Sequence, residues 1–177
     1  MLIRLFTVTW EKRKLGSIAK TTIGKFVIKT KQNDDSIYPV YNGGISYTGK
    51  YDEYNNQGPK IVVSARGANA GFVNLVTTNY WAGNSCYSIE IIDKSIFSLD
   101  YIYSFMKYNQ WRFTAYQQAA NIPSVSKADM EKFNINFPEF NEQEKIGILF
   151  QMLDQLITVN QDQPLTLTMF SICTFTL

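Results

Sequence analysis

Histidine is absent from the 177 residues of this chain, and cysteine occurs only twice. Without histidine, the chain cannot build Ser-His-Asp or Cys-His nucleophile systems, histidine general bases or histidine-bearing metal sites. Cys86 and Cys173 lie far apart in the sequence and have no CxxC spacing, which favours neither a zinc site nor a disulfide framework. The composition therefore excludes enzymes that depend on a histidine of their own, and we expect neither a metal nor a cofactor.

Long hydrophobic runs are also missing. No stretch reaches the roughly 20 apolar residues that a membrane-spanning helix needs. The apolar start, residues 1–5, is too short for a signal peptide and is soon followed by the charged segment 11–14. We therefore expect a cytoplasmic protein that does not enter a membrane.

Hydrophobic residues make up 45% of the chain, which is enough for one domain with a core of its own. Aromatic residues reach 15%, which is typical either of a binding surface or simply of β-rich packing. Basic residues concentrate at the start: residues 1–31 contain eight Lys or Arg and one acid, Glu11. This charge distribution suggests a polyanionic partner, although a solvated basic face would look the same.

The pattern of apolar residues predicts short strands in the first half of the chain and helices in the second. Strand-like runs occupy residues 25–30, 38–41, 61–64, 72–76 and 85–92. From Ser98, a suitable N-cap, apolar residues recur at helical spacing toward Gln117. A short helix is expected from Ser126, with Asp129 in the capping-box position. The predicted fold class is α+β, a β-rich mixed domain followed by C-terminal helices.

The last predicted helix begins with Asn141 as its N-cap and Glu144 at the third position, and it runs to about residue 161, before Pro164. Its apolar residues have the 3-4 spacing of a helix edge that packs against another helix: Ile146, Leu149, Leu153 and Leu156. Residues 162–177 change to a threonine-rich, nearly uncharged composition, which suggests a frameshifted or truncated end, with a docked terminal strand as the alternative. The expected divisions are 1–140, 141–161 and 162–177.

Two loops rich in glycine and polar residues are candidates for binding. In the first, Asn42, Tyr47 and Lys50 surround the Gly43-Gly44 pair, where the backbone can approach a ligand closely. In the second, Ser64, Arg66 and Asn69 lie in a turn after an apolar strand, and arginine suits bidentate contact with guanine or phosphate. The alternatives are an ordinary hairpin turn and a turn in which the arginine pairs with a carboxylate such as Glu53.

A third candidate is the polar segment 121–127, which leads into the predicted short helix. Ser124 and Lys127 lie there, and the amides at the start of a helix favour an anion such as phosphate. Ordinary helix capping would use the same residues. A serine nucleophile at Ser64 or Ser124, activated by Lys127, is an enzymatic alternative, but no third group completes such a site.

The order of these motifs along the chain resembles the target-recognition domain of Type I restriction-modification specificity (S) subunits. The shared pieces are Trp-Glu-x-x-x-Leu-Gly from Trp10, Tyr-Pro-Val-Tyr-x-Gly-Gly-Ile from Tyr38, Ser-x-Arg-Gly-x-x-x-Gly from Ser64, and Ile-Pro-x-Val from Ile122. They end with Asn-Glu-Gln-Glu-Lys-Ile from Asn141. The resemblance covers about residues 10–161 and is most specific over 138–153.

The resemblance implies a non-catalytic protein that recognises a DNA sequence for a partner methyltransferase (M) subunit and restriction (R) subunit. It implies double-stranded DNA as the ligand, with the eight polar residues of the three loops as contacts. It also implies that the last helix is the start of a coiled-coil spacer, here cut short, which could pair with a second copy of the chain. A non-catalytic β-rich module that binds sugar or protein is the alternative function.

Overall fold

The structure is a computed structural model that describes residues 10–115 and 123–162. In these two segments, nine strands, five helices and one 3₁₀ turn follow one another. Their order is β1 (Glu11–Lys14), α1 (Leu15–Ile18), β2 (Ala19–Ile23), the 3₁₀ turn Lys29–Lys31, β3 (Tyr38–Tyr41), β4 (Gly49–Tyr51), β5 (Lys60–Ser64), β6 (Val73–Val76), β7 (Trp81–Ala82), β8 (Cys86–Ile91), α2 (Leu99–Tyr108), α3 (Trp111–Ala115), α4 (Lys127–Glu131), β9 (Asn134–Phe137) and α5 (Phe140–Asp162). The fold class is mixed α+β, as predicted.

A four-stranded antiparallel sheet with the order β2-β8-β5-β6 is the centre of the fold. A three-stranded sheet, β4-β3-β7, contains the parallel pair β3 and β7. A separate two-stranded sheet joins β1 to β9 in antiparallel register. The chain ends of the described domain are thereby held together, because β1 follows its start and β9 immediately precedes the last helix.

Side chains on both faces of the central sheet are buried. Ile61 and Val63 belong to the main core with the helices, whereas Val62 packs with Tyr80 and Ala82 in a second cluster. Successive side chains of a strand point to opposite faces, so β5 contributes alternately to the two clusters. This two-sided burial explains why the sequence of β5 is a continuous apolar run rather than an alternating one. It also directs the side chain of Ser64 away from the helices.

The predicted strand over residues 25–30 is wrong. The segment makes one isolated bridge, Lys25 to Gly83, and then continues into the 3₁₀ turn. The hydroxyl of Tyr51 accepts a hydrogen bond from the backbone N–H of Ile28 at 2.6 Å and donates one to its carbonyl oxygen at 2.8 Å. A buried side chain thus satisfies the backbone groups that a neighbouring strand would have satisfied.

The helical region after Ser98 is interrupted, which the sequence did not predict. Ser98 caps α2 by accepting a hydrogen bond from the N–H of Tyr101, as expected, but the helix ends at Tyr108 and α3 begins at Trp111. The expected cap of α4 is present, with Ser126 accepting from the N–H of Asp129 at 3.1 Å. Residues 116–122, where the predicted helix would have ended, lie outside the described residues.

The last helix begins earlier than predicted. The carbonyl of Glu139 accepts hydrogen bonds from the N–H groups of Glu142 and Gln143, so the first helical residue is Phe140 and Asn141 is not the N-cap. Helix α5 has 23 residues, a length of about 35 Å. Pro164 and the rest of the proposed tail lie outside the described residues.

A buried glutamine attaches α5 to the domain. The Gln143 side-chain oxygen accepts from the N–H of Ser98 at 3.0 Å, and its amide nitrogen donates to the carbonyls of Pro138 and Ile96 at 3.0 and 3.2 Å. Its side chain is 2% exposed. Buried polar groups are costly unless they are paired, and this one pairs with three backbone groups, two in the segment before α2 and one just before α5. The start of α5 therefore has a fixed position against the N-terminus of α2.

Candidate nucleic-acid interface

The turn after β5 lies beside the segment that precedes α4. Arg66 and Ser124 form an isolated antiparallel bridge. The N–H of Gly67 donates to the carbonyl of Pro123 at 3.0 Å, and the N–H of Val125 donates to the carbonyl of Ala65 at 2.9 Å. Two of the predicted binding segments, far apart in the sequence, are therefore hydrogen-bonded neighbours.

The Gly43-Gly44 loop meets the same turn from the other side. The Ser64 hydroxyl donates to the carbonyl of Gly44 at 2.8 Å. Gly43 has φ +85°, and a Cβ built on it would lie 2.9 Å from the carbonyl oxygen of Arg66. Only glycine combines that backbone conformation with so close an approach. All three predicted binding segments thus converge around Arg66.

Arg66 has an exposed side chain in this arrangement. Its charge lies near the hydroxyl of Tyr87, which donates to the carbonyl of Val125 at 3.2 Å. Burial raises the pKa of Tyr87, and the positive charge of Arg66 opposes that rise. Glu53, the alternative partner, instead lies 3.3 Å from the Lys31 ammonium. Among the residues that the structure describes, Arg66 takes part in no ion pair.

Four of the eight predicted contact residues are engaged within the protein. Ser64 is 3% exposed and holds Gly44, so it supports the loop rather than facing a ligand. The Asn42 side-chain oxygen accepts from the N–H of Ser85 at 3.1 Å. The Lys50 ammonium donates to the carbonyl of Asp34 at 2.9 Å, and the Lys127 ammonium lies 3.5 Å from Glu131. Both lysines could still reach phosphate by exchanging these exposed contacts for it.

The other predicted residues besides Arg66 are exposed: Tyr47, Asn69 and Ser124. Asn69 lies in a turn whose backbone is fixed by hydrogen bonds from Phe72 N–H to the Asn69 carbonyl and from Gly71 N–H to the Ser64 carbonyl. An open cavity of about 350 Å³ lies beside this turn and is bordered by Trp111. Trp111 is 64% exposed at the start of α3.

Two lysines of the basic N-terminal region border the Gly43-Gly44 loop at Asn42. Lys25 forms its bridge with Gly83, and a Cβ on Gly83 would lie 2.3 Å from the side-chain oxygen of Asn42. Lys29 and Asn42 line a common cavity of about 180 Å³. The sequence indicated a basic region, but it gave no reason to place these two lysines beside the loop.

The predicted helix-pairing residues of α5 occupy different surroundings. Ile146 packs against the main core of its own domain. Leu153 lines a groove of about 230 Å³ that includes Tyr108 of α2. Leu149 and Leu156 are more than half exposed. With Met152 and Val159, which are also more than half exposed, they form an outer apolar row at 3-4-3 spacing.

Within residues 10–115 and 123–162, no group of three or more cysteine and carboxylate side chains is placed to hold a metal ion. The described cysteine, Cys86, is buried and donates to the carbonyls of Tyr41 and Gly83. Burial raises its pKa to about 12, so it stays a thiol at neutral pH. The described helices include none that is both long and apolar enough to cross a membrane.

The chain is a mixed α+β domain in which three polar loops meet at one place and which continues into a long helix. This is the architecture of a recognition module on a helical arm. The chain matches the family model described as Type I restriction modification DNA specificity domain over residues 7–169. It therefore belongs to the family of Type I restriction-modification specificity subunits.

Individual relatives agree with this assignment. A protein of Mycoplasma genitalium described as a type I specificity subunit is 26% identical over 149 residues, which cover 84% of this chain and 39% of that protein. The crystal structure of a Type I restriction-modification S subunit from M. genitalium superposes with a TM-score of 0.78 at 25% identity, covering 90% of this chain and 45% of the other. A chain from a type I system studied for its complex assembly has the same fold, with a TM-score of 0.67, 16% identity, and 85% of this chain and 40% of that chain covered. The chain thus spans less than half the length of these relatives.

Proposed function

We propose that this chain recognises a specific sequence in double-stranded DNA as a specificity component of a Type I restriction-modification complex. The observation that carries the proposal is the convergence of three polar segments around an exposed Arg66 that has no carboxylate partner among the described residues. An exposed arginine on a fixed turn is well suited to bidentate contact with a guanine edge or a phosphate. Family membership supports DNA as the ligand.

The eight residues divide into direct and indirect roles in this proposal. Arg66 and Asn69 contact base edges, because both are exposed and lie on one rigid turn. Tyr47 and Ser124 extend that surface on either side. Lys50 and Lys127 contact phosphates, while Ser64 and Asn42 hold the loops in place.

We further propose that the chain is not itself an enzyme. The enzymatic alternative needed Ser64 or Ser124 as a nucleophile with Lys127 as its base. Ser64 is buried and bonded to a backbone carbonyl, and the Lys127 ammonium lies 3.5 Å from a carboxylate oxygen of Glu131. Methylation and cleavage would then belong to partner M and R subunits, in the cytoplasm where DNA and these enzymes meet.

The outer apolar row of α5 (Leu149, Met152, Leu156 and Val159) is the surface that we propose for helix pairing. Its residues are 54–59% exposed, and their spacing fits the seam of a coiled coil. The partner helix would come from a methyltransferase subunit or from a second copy of the chain. In this proposal the domain over residues 1–140 reads DNA, and α5 from residue 141 onward is the spacer that positions it.

Sedimentation velocity tests the pairing. Met152→Lys should lower the mass of the species formed alone or with the M subunit of the same genome. Thr158→Lys adds the same charge on another side of α5 and should leave that mass unchanged. Equal masses for the original chain, both variants and the monomer would refute pairing through this row.

The DNA-binding proposal is tested by selection from a randomised duplex pool, with the chain alone and with the M subunit. One enriched sequence is expected, and its affinity should fall steeply as salt rises because bound phosphates release counterions. A sugar-binding module would show little dependence on salt and no enriched sequence. Failure to enrich any sequence in either arm would overturn the DNA-reading function.

A further inference from the structure

One exposed aliphatic side chain lies within the proposed DNA-reading surface. Ile45 follows the Gly43-Gly44 pair and is 58% exposed. It directly follows Gly44, whose carbonyl accepts the hydrogen bond from the Ser64 hydroxyl. Gly43 lies so close to the Arg66 carbonyl that a Cβ on it would be 2.9 Å from that oxygen. Ile45 thus lies beside the polar surface around Arg66 and not in the core of the three-stranded sheet β4-β3-β7.

The loop that carries Ile45 is fixed at both ends. Before it, the Gly44 carbonyl accepts from the Ser64 hydroxyl at 2.8 Å. After it, the N–H of Thr48 donates to the carbonyl of Val40 at 2.7 Å, and the Thr48 hydroxyl donates to the same oxygen at 3.2 Å. A side chain on so short and anchored a loop is presented in a defined position, which specific contact requires.

The chemistry of base edges limits what an aliphatic side chain can recognise there. Hydrogen-bond donors and acceptors dominate both grooves, and the 5-methyl group of thymine is the apolar group that the major groove presents. An isoleucine that buries this methyl gains the hydrophobic contribution of one carbon, roughly a threefold to fourfold change in affinity. Isoleucine offers nothing to a phosphate or to a polar base edge.

We propose that Ile45 is a specificity-determining residue that reads the 5-methyl group of a thymine in the recognised sequence. The proposal rests on DNA recognition through the Arg66 surface and adds one base identity to it. It predicts that the selected sequence contains at least one T·A pair whose methyl group is required.

The test uses the full chain, with the M subunit if binding needs it, and the duplex found by selection. Each thymine is replaced in turn by uracil, which removes only the methyl group. For the original chain, uracil at one position should weaken binding about threefold or more, and uracil in the flanking sequence should have no effect. Ile45→Ser should bind the thymine and uracil duplexes equally at that position.

Ile37→Ser is the matched control, because Ile37 is an isoleucine that is 77% exposed outside this loop. It should keep the full preference for thymine over uracil. Thermal melting should be the same for both variants, which separates lost contact from lost folding.

Two results would overturn the inference alone: an enriched sequence in which no thymine methyl matters, or an Ile45→Ser variant that keeps the original preference. Selection of a sequence without any T·A pair would overturn it as well. If no sequence is enriched, DNA recognition itself fails and this inference fails with it.

Discussion

The hydroxyl of Ser64 donates a 2.8 Å hydrogen bond to the carbonyl of Gly44, and this contact joins two loops that are separate in the sequence. Ser64 is the last residue of β5, and its side chain points to the sheet face opposite the helices. Its buried hydroxyl therefore reaches the glycine loop rather than solvent. The position of the loop relative to Arg66 depends on this bond.

Removing that hydroxyl should weaken specific DNA binding while leaving the fold intact. For Ser64→Ala we expect a loss of about 0.5–1.5 kcal/mol in binding, the usual net contribution of a hydrogen bond, because the loop becomes less well positioned. Gel-shift titration with the selected and a scrambled duplex measures it. Ser17→Ala removes a comparable serine-to-backbone bond elsewhere, and it should change neither affinity. Equal binding by Ser64→Ala and the original chain would contradict the positioning role.

Two glycines with the same left-handed backbone conformation separate the effect of conformation from that of contact. Gly43 and Gly67 have φ of +85° and +91°, but a Cβ on Gly43 would lie 2.9 Å from the Arg66 carbonyl. A Cβ on Gly67 would have no heavy atom within 4 Å among residues 10–115 and 123–162. Each alanine should cost about 1 kcal/mol for its left-handed conformation. Gly43→Ala should cost roughly 1–3 kcal/mol more because it forces the two loops apart. Urea unfolding of both variants measures the difference, and equal losses would show that the loops are not in close contact.

The buried glutamine at the start of α5 should contribute strongly to the stability of the domain. Gln143→Met keeps the length of the side chain but leaves the N–H of Ser98 and the carbonyls of Ile96 and Pro138 without their partner. Each unsatisfied buried group costs about 1–3 kcal/mol, so we expect a loss of at least roughly 2 kcal/mol in the free energy of unfolding. Lys145→Met, on the exposed side of the same turn, should change it by less than about 0.5 kcal/mol. Similar stabilities for the two variants would contradict the attachment of α5 to the domain through Gln143.

The contact between α2 and α5 should give stability a specific pH dependence. Burial raises the pKa of Asp100 above 3.8, and the nearby charge of Glu144 raises it further. The folded state therefore binds a proton more readily than the unfolded state, and the ionised carboxylate is unfavourable at neutral pH. Asp100→Asn should be more stable than the original chain at pH 7, and this gap should shrink as the pH falls toward and below 3.8. Urea unfolding of both proteins across that pH range measures the difference in the free energy of unfolding. A difference that widens in acid would contradict the prediction.

The sequence predicted the elements whose signals are local. The caps at Ser98 and Ser126 and the strands around Val40, Val62 and Ile89 follow from residue type and periodicity alone. The segment 25–30 has the pattern of a strand, but the hydroxyl of Tyr51 satisfies its backbone in place of a partner strand. Such a long-range contact leaves no trace in the local pattern.

The candidate site was likewise predictable where its signals are local and unpredictable where it depends on long-range contacts. Glycines and polar residues identified three binding segments, and family resemblance supplied DNA as the ligand. Their meeting point depends on the bridge between Arg66 and Ser124 and on the burial of Ser64, both of which are tertiary contacts. The exposure of Trp111 was not predicted, because the break between α2 and α3 at Asn109 and Gln110 has no strong helix-stopping residue.

The most direct test of the central claim is the affinity of Arg66 variants for the selected duplex and for a scrambled duplex. Arg66→Ala should lose about 1–3 kcal/mol of specific binding, and Arg66→Lys should recover little of it, because lysine keeps the charge but cannot make a bidentate contact. Lys145→Ala removes a charge of the same sign from α5 and should preserve the ratio between the two duplexes. If Arg66→Ala discriminates between the duplexes as well as the original chain does, the account of this surface as the DNA-reading site is contradicted.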